Sequence, residues 1–545
     1  MVRCAVPTKL CSEQNSFATQ ETSSPNNKVQ TFQLRWPLFG WTLYFDLPDA
    51  ESELTIPSSV QMAPSEAEQE EVSQTEKRTG SRRTFLAGDV ILISQPFVGV
   101  LDRKWKFQRC DFCFDPFPSR SDPLLPRPLT CPQCSACLYC NGKCRDRALP
   151  NHIQECKYLR QKGKSIISDT GRFMMKLILK LHTPSPNTLS DPNNNLANRT
   201  ISAQRDFGQL LDHYDEIQKD QERMELIDKI YQELLKYELK ELPTDFDEFG
   251  RVCGKVLINS FNYTLTGGQR IGTALYLEAS ALNHSCTPNA GFSFQNGNVV
   301  IRALETIESD DQTPLEDQIT ISYIDLLDCT KSRQANLMER YYFQCECHRC
   351  QNPELELSMY SIRCQSLNCS GRPVYVGVGR RLEDLDVRPC QECGNKPNAK
   401  ILEQYLKICC AVQDMSGESF SPSSKSSDEC MSLMTGLFHP DHYLYMRMAR
   451  ASFDEHFNRE EYELAREYGL LCLSSYRKYK HHVWPSLAQL LFKLGSLEFL
   501  HTPSLPKKVA HTHLGEALDI LIVTHGQDHE VYQQAKALWQ QSKLI

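Results

Sequence analysis

The chain has 545 residues, a net charge of −8 and 24 cysteines. That length exceeds one hydrophobic core and predicts about two to four domains. The acidic balance argues against a dedicated nucleic-acid binder. The absence of a long apolar run or an apolar secretory h-region leads us to expect no membrane span and a reducing compartment, cytoplasm or nucleus, where cysteines hold metal rather than pair.

In chain order, residues 1–80 read as a poorly ordered leader. Its tract "PSEAEQEEVSQTEKR" is charged and nearly free of apolar residues, so it has little to bury. The stretch "TFQLRWPLFGWTLYF" (31–45) is apolar but short, and Arg35, Pro37 and Gly40 interrupt it. Order is expected to begin near "FLAGDVILISQPF" (85–97), a β-like run around a Gly-Asp turn. Cysteine-dense sequence fills 110–156. The tract "TPSPNTLSDPNNNLANRT" (183–200) reads as a surface loop. Its Asn198, Arg199, Thr200 sequon is set aside for want of a secretory signal.

In "RMELIDKIYQELLKY", Ile227, Ile230, Tyr231 and Leu234 fall on one helix face. Thr244 with Asp247 reads as a capping box, and Phe249, Val252, Cys253 and Val256 continue that helix's apolar stripe. Short strands follow at "GNVVIRAL" (297–304) and "QITISY" (318–323), where Ile319, Ile321 and Tyr323 share a face. From about 401 to the end the pattern is helical, in segments such as "EEYELAREYGLLCLSSY" and "PSLAQLLFKLGSLEFL". Short breaks between them suggest helix pairs of tetratricopeptide type, with a weak repeat signature.

The cysteines carry the sharpest signal. Cys110 and Cys113, Cys131 and Cys134, Cys140 and Cys144, and His152 and Cys156 form four closely spaced pairs. Two ligands so spaced can grip one tetrahedral zinc through a tight turn, and eight make two zincs. A segment with so few large apolar residues needs the metal to fold. Structural zinc supplies on the order of 10–16 kcal/mol in small domains. Cys137 lies outside the pairs and reads as a free thiol. "CECHRC" adds Cys345, Cys347 and Cys350, an incomplete tetrahedron whose fourth ligand is Cys286 or, at the cost of crowding, His348. Cys364, Cys369, Cys390 and Cys393, the last followed by Gly394, read as a ribbon-like site, against unrelated surface cysteines. The nine remaining cysteines show no pairing.

"ALNHSCTPNAG" (281–291) leaves three readings open: a nucleophile beside its base, half a metal site, or a turn. Taken with "ITISYIDLL" and "RYYFQCECHRC", it resembles the C-terminal half of a SET domain with its post-SET zinc cluster. The cysteine order of 110–156 is similar to a MYND zinc finger, and "GEALDILIVTHGQDH" to the end of a C-terminal helical domain. The whole layout, over about residues 85–545, resembles the SET- and MYND-domain-containing protein lysine methyltransferases.

That resemblance implies an α+β multidomain fold: a β-rich SET core split by a MYND finger and a helical insertion, a post-SET zinc cluster, and an all-α, helix-pair C-terminal domain. It divides the chain into the leader 1–80, the N-terminal part of SET 81–109, the MYND finger 110–156, the helical insertion 157–258 and the C-terminal SET core 259–323. The post-SET cluster 324–351, a ribbon segment 352–400 and the helical domain 401–545 follow.

The resemblance places Cys110, Cys113, Cys140 and Cys144 on one zinc and Cys131, Cys134, His152 and Cys156 on another. It places Cys286, Cys345, Cys347 and Cys350 on a third; the ribbon cysteines would hold a fourth. It implies S-adenosylmethionine as the cofactor, held through Asn259, Asn283, His284, Tyr323 and Phe343. Tyr323 would be the catalytic tyrosine, and Phe261 and Tyr341 would line the substrate channel. The implied partners are a protein lysine substrate, in a histone tail or elsewhere, and a proline-rich peptide at the finger, with the chain a monomer in cytoplasm and nucleus.

Two features depart from the pattern. The family's Gly-x-Gly turn should fall near residues 76–78, where this chain has "EKRTG". The "LLDHYDEIQKD" stretch matches the family's cofactor contacts in the insertion only weakly. The chain therefore carries a second reading, a catalytically weak adaptor binding partners through its finger and helices. The basic stretch "KCRDRALPNHIQECKYLRQKGK" reads as a solvated face, with DNA as the alternative partner. A general-base role for His284 is the sharper rival to cofactor binding.

Overall fold

The computed structural model describes residues 30–36, 41–47, 83–117, 127–160, 166–183, 205–265, 268–310, 312–367, 369, 372–377, 379, 381–413, 426–502 and 505–543. Strands β1 (Gln30–Trp36) and β2 (Trp41–Leu47) pair antiparallel inside the stretch read as a leader. The remainder of 1–82, with positions 76–78, and residues 184–204, with the sequon, lie outside the described residues.

Strands β3 (Thr84–Phe85), β4 (Val90–Ser94) and β5 (Val98–Leu101) open the β-rich core. The chain then leaves it. Strands β6 (Leu129–Thr130) and β7 (Leu138–Tyr139) and helix α1 (Gly142–Leu159) build the cysteine-rich segment. Helices α2 (Asp169–His182), α3 (Tyr214–Ile217), α4 (Gln221–Lys236) and α5 (Phe246–Asn259) follow. The core resumes with β8 (Ser260–Thr264) and β9 (Arg270–Leu275). Antiparallel β5–β9 and β9–β8 pairing closes residues 102–259 into an insertion between neighbouring strands.

Helix α5 opens one residue later than the capping box predicted: Asp245, not Thr244, accepts the Asp247 N–H. Either side chain can cap, and Asp245 is the one with the extended backbone of an N-cap at the helix start (φ −83°, ψ 121°). The buried stripe of α4 is Ile227, Ile230 and Leu234 and that of α5 is Phe249, Cys253 and Val256, packed with Phe173, Met174 and Ile178 of α2 and with Val98 and Val100.

Strand β10 (Asn283–His284) runs parallel to β14 (Thr320–Ile321), and β11 (Ala290–Gln295) and β12 (Asn298–Ala303) form a hairpin that β4 extends. Strand β13 (Ile307–Glu308) pairs β3, and the short helix α6 (Leu315–Gln318) leads into β14. The strand expected over 318–323 shrinks to two residues. Its partner β10 offers only two before the chain turns toward Cys286, so Tyr323 lies beyond the strand end.

Helices α7 (Thr330–Tyr341) and α8 (His348–Gln351) flank the third cysteine cluster. Strands β15 (Ser361–Arg363) and β16 (Pro373–Tyr375) form the ribbon hairpin. Helices α9 (Ala399–Gln413), α10 (Ser427–Met434), α11 (Tyr443–Asn458), α12 (Tyr462–Tyr479), α13 (Pro485–Leu500), α14 (Lys507–Thr524) and α15 (Glu530–Lys543) then pack each on its neighbour. Helix α13 is apolar nearly all round and is buried between α12 and α14. Helix α14 also packs on β11 and β12. That contact explains why Val299, Val300 and Ile301 are all buried although alternation alone would expose one side. No helix among the described residues is long and apolar enough to cross a membrane.

Within the insertion, α5 passes close to the segment that precedes α3. A Cβ on Gly254 of α5 would lie 2.3 Å from the Asp212 carbonyl oxygen. In an open helix, Gly→Ala gains up to about 1 kcal/mol. Here Gly254→Ala is expected to lower the thermal unfolding midpoint instead, by the equivalent of about 1–3 kcal/mol, because backbone must move. A melt followed by circular dichroism checks the sign.

Candidate active site and metal centres

Four ligand groups each bring their donor atoms within 4.8 Å of one another: Cys110, Cys113, Cys140 and Cys144; Cys131, Cys134, His152 and Cys156; Cys286, Cys345, Cys347 and Cys350; and Cys364, Cys369, Cys390 and Cys393. Tetrahedral zinc with Zn–S of about 2.3 Å requires sulfurs about 3.8 Å apart. Neighbouring sulfurs stand at 3.4 Å (Cys140–Cys144) and 3.7 Å (Cys113–Cys140), 3.8 Å (Cys131–Cys156), 3.6 Å (Cys286–Cys350), and 3.4 Å (Cys369–Cys390) and 3.5 Å (Cys364–Cys393). The donor sets therefore fit zinc. His348 is exposed on α8, outside its neighbours' group.

Sulfur crowding eases the proton off one thiol of a neighbouring pair and pushes its partner up, Cys113 beside Cys110 and Cys286 beside Cys347. The neighbouring Cys113 thiol lowers Cys110 to about 5, and Cys286 does most to bring Cys347 to about 5. At Cys390 the Cys393 N–H is the main cause of a fall to about 7. A metal ligand must be a thiolate, so these sulfurs lose their protons readily.

Helix α1 serves both sites of the first segment. Asn141 caps it by accepting the Cys144 N–H at 2.9 Å, which holds Cys144 one turn from Cys140. His152 and Cys156 lie one turn apart further along. The His152 Nδ1–H donates to Glu155 Oε1 at 3.0 Å, leaving Nε2 3.5 Å from the Cys134 sulfur. Glu155 in turn accepts from Arg172 of α2, whose other nitrogens reach both carboxylate oxygens of Asp111 at 2.7 and 2.9 Å. A carboxylate behind a ligating histidine fixes its tautomer and ring plane. Cys137, expected to be a free thiol, is fully buried in this network with Arg172 Nη2 at 3.0 Å.

The third cluster borders a cavity of about 820 Å³. The predicted Asn259, Phe261, Asn283, His284, Tyr323, Tyr341 and Phe343 all line it. Tyr323 donates its hydroxyl to the Leu282 carbonyl. Its ring centroid is 5.0 Å from Tyr341 and 6.4 Å from Phe343. Burial pushes its phenol well above the usual range.

His284 is committed on both ring nitrogens. Nδ1 accepts the Tyr323 N–H at 3.1 Å, so Nε2 carries the hydrogen and faces the Cys286 sulfur at 3.4 Å. A general base needs a free lone pair, and this ring has none to offer. The Asn259 amide is likewise spent, donating to the Leu211 and Lys255 carbonyls, and Asn283 Nδ2 donates to Asp317.

Three features in and beside the cavity went unread in the sequence. Arg205 and His213 line the same cavity, His213 in a left-handed conformation (φ 47°) with its ring 5.6 Å from Tyr342. Asn289 of the quoted loop exchanges hydrogen bonds with the 318–320 backbone, donating to the Gln318 carbonyl and accepting the Thr320 N–H, both at 2.8 Å. Asn289 was visible as a turn residue; nothing local marked Arg205.

Behind the cluster lies a buried charge network. Arg333 of α7 is fully buried, with Nε 3.2 Å from the Cys286 sulfur and Nη2 3.4 Å from that of Cys350. Its Nη1 and Arg349 Nε both donate to Glu356 Oε1 at 2.6 Å. Arg349 Nη1 continues to the Leu326 and Tyr479 carbonyls, the latter at the end of α12.

Comparison with known proteins bears directly on this arrangement. Residues 108–156 match the family model described as MYND finger. The chain carries a MYND finger. Over 415 residues it is 26% identical to "Histone-lysine N-methyltransferase SMYD3" of Homo sapiens, covering 74% of this chain and 82% of that protein. It is 26% identical over 465 residues to "Histone-lysine N-methyltransferase ASHR1" of Arabidopsis thaliana, with 82% and 88% covered. It is 25% identical over 459 residues to "N-lysine methyltransferase SMYD2-A" of Xenopus laevis, with 83% and 94% covered. The resemblance to SET- and MYND-domain lysine methyltransferases thus extends from the MYND finger over most of the chain.

Metal analysis of the purified chain should find about four zincs. Arg333→Gln is expected to release one of them to a chelator about tenfold faster than wild type, since partners behind metal ligands commonly contribute that much. A metallochromic dye follows the release.

Proposed function

We propose that this chain is an S-adenosylmethionine-dependent protein-lysine N-methyltransferase. The observation that carries the reading is Tyr323, protonated and anchored on the Leu282 carbonyl inside an aromatic-walled cavity next to a four-cysteine cluster. We assign the split β-rich core, 81–109 with 259–323, to a SET domain around the finger (110–156) and the helical insertion (157–258). Residues 324–351 are its post-SET cluster, 352–400 a zinc ribbon, and 401–545 a helix-pair domain of tetratricopeptide type.

The donor's methyl, carried on a positive sulfonium, needs only a neutral amine aimed at it. A free lysine, with pKa about 10.4, costs about 4–5 kcal/mol to deprotonate at pH 7. Desolvation between the Phe261 and Tyr341 rings lowers that cost by disfavouring the ammonium. The protonated Tyr323 is not the base. Its fixed oxygen and the Leu282 carbonyl orient the amine and favour the developing positive charge. The lining fits the cofactor: Asn283, His284 and the flat Phe343 ring border one cavity, with the Phe343 centroid 6.0 Å from the His284 ring. The substrate is a lysine of a histone tail or of another protein, and a proline-rich peptide is the partner proposed for the finger.

Tyr323→Phe is expected to reduce methyl transfer by about a hundredfold, scored with labelled donor on histone and non-histone peptides. Unchanged transfer would remove the role given to Tyr323. Cys286→Ser is expected to weaken S-adenosylhomocysteine binding in calorimetry, because Cys286 holds the His284 ring and the segment carrying Phe343. If the folded, zinc-loaded wild type binds no donor at all, the chain is the adaptor rather than the enzyme.

A further inference from the structure

The turn that follows Tyr323 is held from outside the cavity. Ser322 Oγ donates to the Ile324 carbonyl at 2.9 Å, and Asp325 Oδ1 accepts the Leu327 N–H at 3.0 Å. The same Asp325 oxygen accepts from the Lys480 ammonium at 2.9 Å, 155 residues further along the chain. Lys480 opens the loop between α12 and α13, and that loop meets the core at several points. Tyr479 just before it shares Arg349 with the Leu326 carbonyl. His481 Nε2 lies 3.5 Å from Glu305, and Trp484 packs against the cluster of Cys286, Leu326, Leu337 and Cys345.

The two partners of this ion pair are unequal. The Lys480 side chain is 3% exposed, while that of Asp325 is 60% exposed. Lys480 lies over the Tyr476 ring, 4.8 Å from its centroid, and donates also to Ser486 Oγ at 3.0 Å. Burial works against its charge, as do the nearby Arg450 and Arg349, and Asp325 is the carboxylate that opposes them. An ammonium taken out of water is costly without an opposite charge, whereas an exposed carboxylate keeps its water. Lys480 therefore depends on Asp325 more than Asp325 depends on Lys480. The buried cation draws the carboxylate, and the turn that bears it, to one place. On the other side of Tyr323 the backbone is fixed by β14 and by its N–H on His284 Nδ1. The ring's direction is thus set from both ends, by the strand before it and by Asp325 two residues after it.

We propose that Lys480 is a positioning residue for Tyr323: through Asp325 it fixes the turn 322–327, and with it the direction in which the Tyr323 ring enters the cavity. This rests on the reading of Tyr323 as the tyrosine of the reacting site. Lys480 is not among the residues that line the cavity, so it acts through the backbone of the turn and not on a ligand. A displacement of about 1 Å at a reacting group can cost about a hundredfold in rate. Loss of this brace therefore shows in turnover before it shows in binding. The rival role for the same pair is plain docking of the helical domain, which would alter stability and leave turnover alone.

The test follows turnover, ligand binding and amide exchange on the full, zinc-loaded chain. Lys480→Met leaves only the exposed Asp325 unpaired, so the fold is kept. It is expected to lower kcat about tenfold or more, with the peptide KM and the S-adenosylhomocysteine affinity within about twofold of wild type. Amide exchange over 322–327, read by mass spectrometry, should quicken about tenfold, and exchange in the finger should not change. Asp325→Asn alone strands a buried ammonium and should lower both kcat and the melting midpoint; adding Lys480→Met to it should restore the midpoint without a further fall in kcat. An unchanged kcat in Lys480→Met overturns the proposal and leaves the docking role. Equal losses in turnover and donor affinity overturn it too, as do unchanged exchange over 322–327 and additive losses of kcat in the double variant. If the wild type transfers no methyl group, the enzyme reading fails, and the exchange measurement alone decides whether Lys480 holds the Tyr323 turn.

Discussion

One sulfur atom, that of Cys286, is where the separate parts of this molecule meet. It sits 3.6 to 4.0 Å from the sulfurs of Cys350 and Cys345, accepts from His284, and accepts from Arg333. Through His284 it reaches the Tyr323 backbone, and so the cavity. Through Arg333, Glu356 and Arg349 it reaches the end of α12. Four thiolates around a divalent cation leave an excess of negative charge, and a buried excess is costly unless offset. Arg333, fully buried, provides the offset; Glu356, 1% exposed, holds Arg333 and Arg349 in one geometry. The metal centre, the cavity and the helical domain are thus held by one chain of charge-assisted hydrogen bonds, stronger than neutral ones.

The MYND finger is built on the same principle. Its apolar interior is small, and its cysteines provide much of it. Metal must therefore contribute the folding free energy that packing cannot. The finger is nonetheless not tethered loosely. Arg172 of α2 reaches Asp111 near one metal group and Glu155 behind the other, so one cation from the helical insertion braces both. Within the same insertion, Gly254 lets α5 approach the Asp212 backbone, beside Leu211 and His213 of the cavity wall. Finger and cavity share a support, although neither contacts the other's ligands.

The sequence by itself determined the metal chemistry and most of the cavity. Ligand spacing is local: two sulfurs separated by a tight turn can do little else than share an ion. Likewise "ALNHSC" compresses Asn283, His284 and Cys286 into so few residues that any fold must place them together. What only the tertiary structure decided were the long-range partnerships. The fate of His284, held on both sides by Tyr323 and Cys286, depends on a parallel strand pairing between residues 283–284 and 320–321. Asp245 rather than Thr244 caps α5, its own backbone extended and its side chain on the Asp247 N–H. Strands β1 and β2 pair in the apolar stretch of the leader, away from its charged tract. Arg205 looks like any surface arginine in its own segment. Only the assembled fold brings it into the cavity wall.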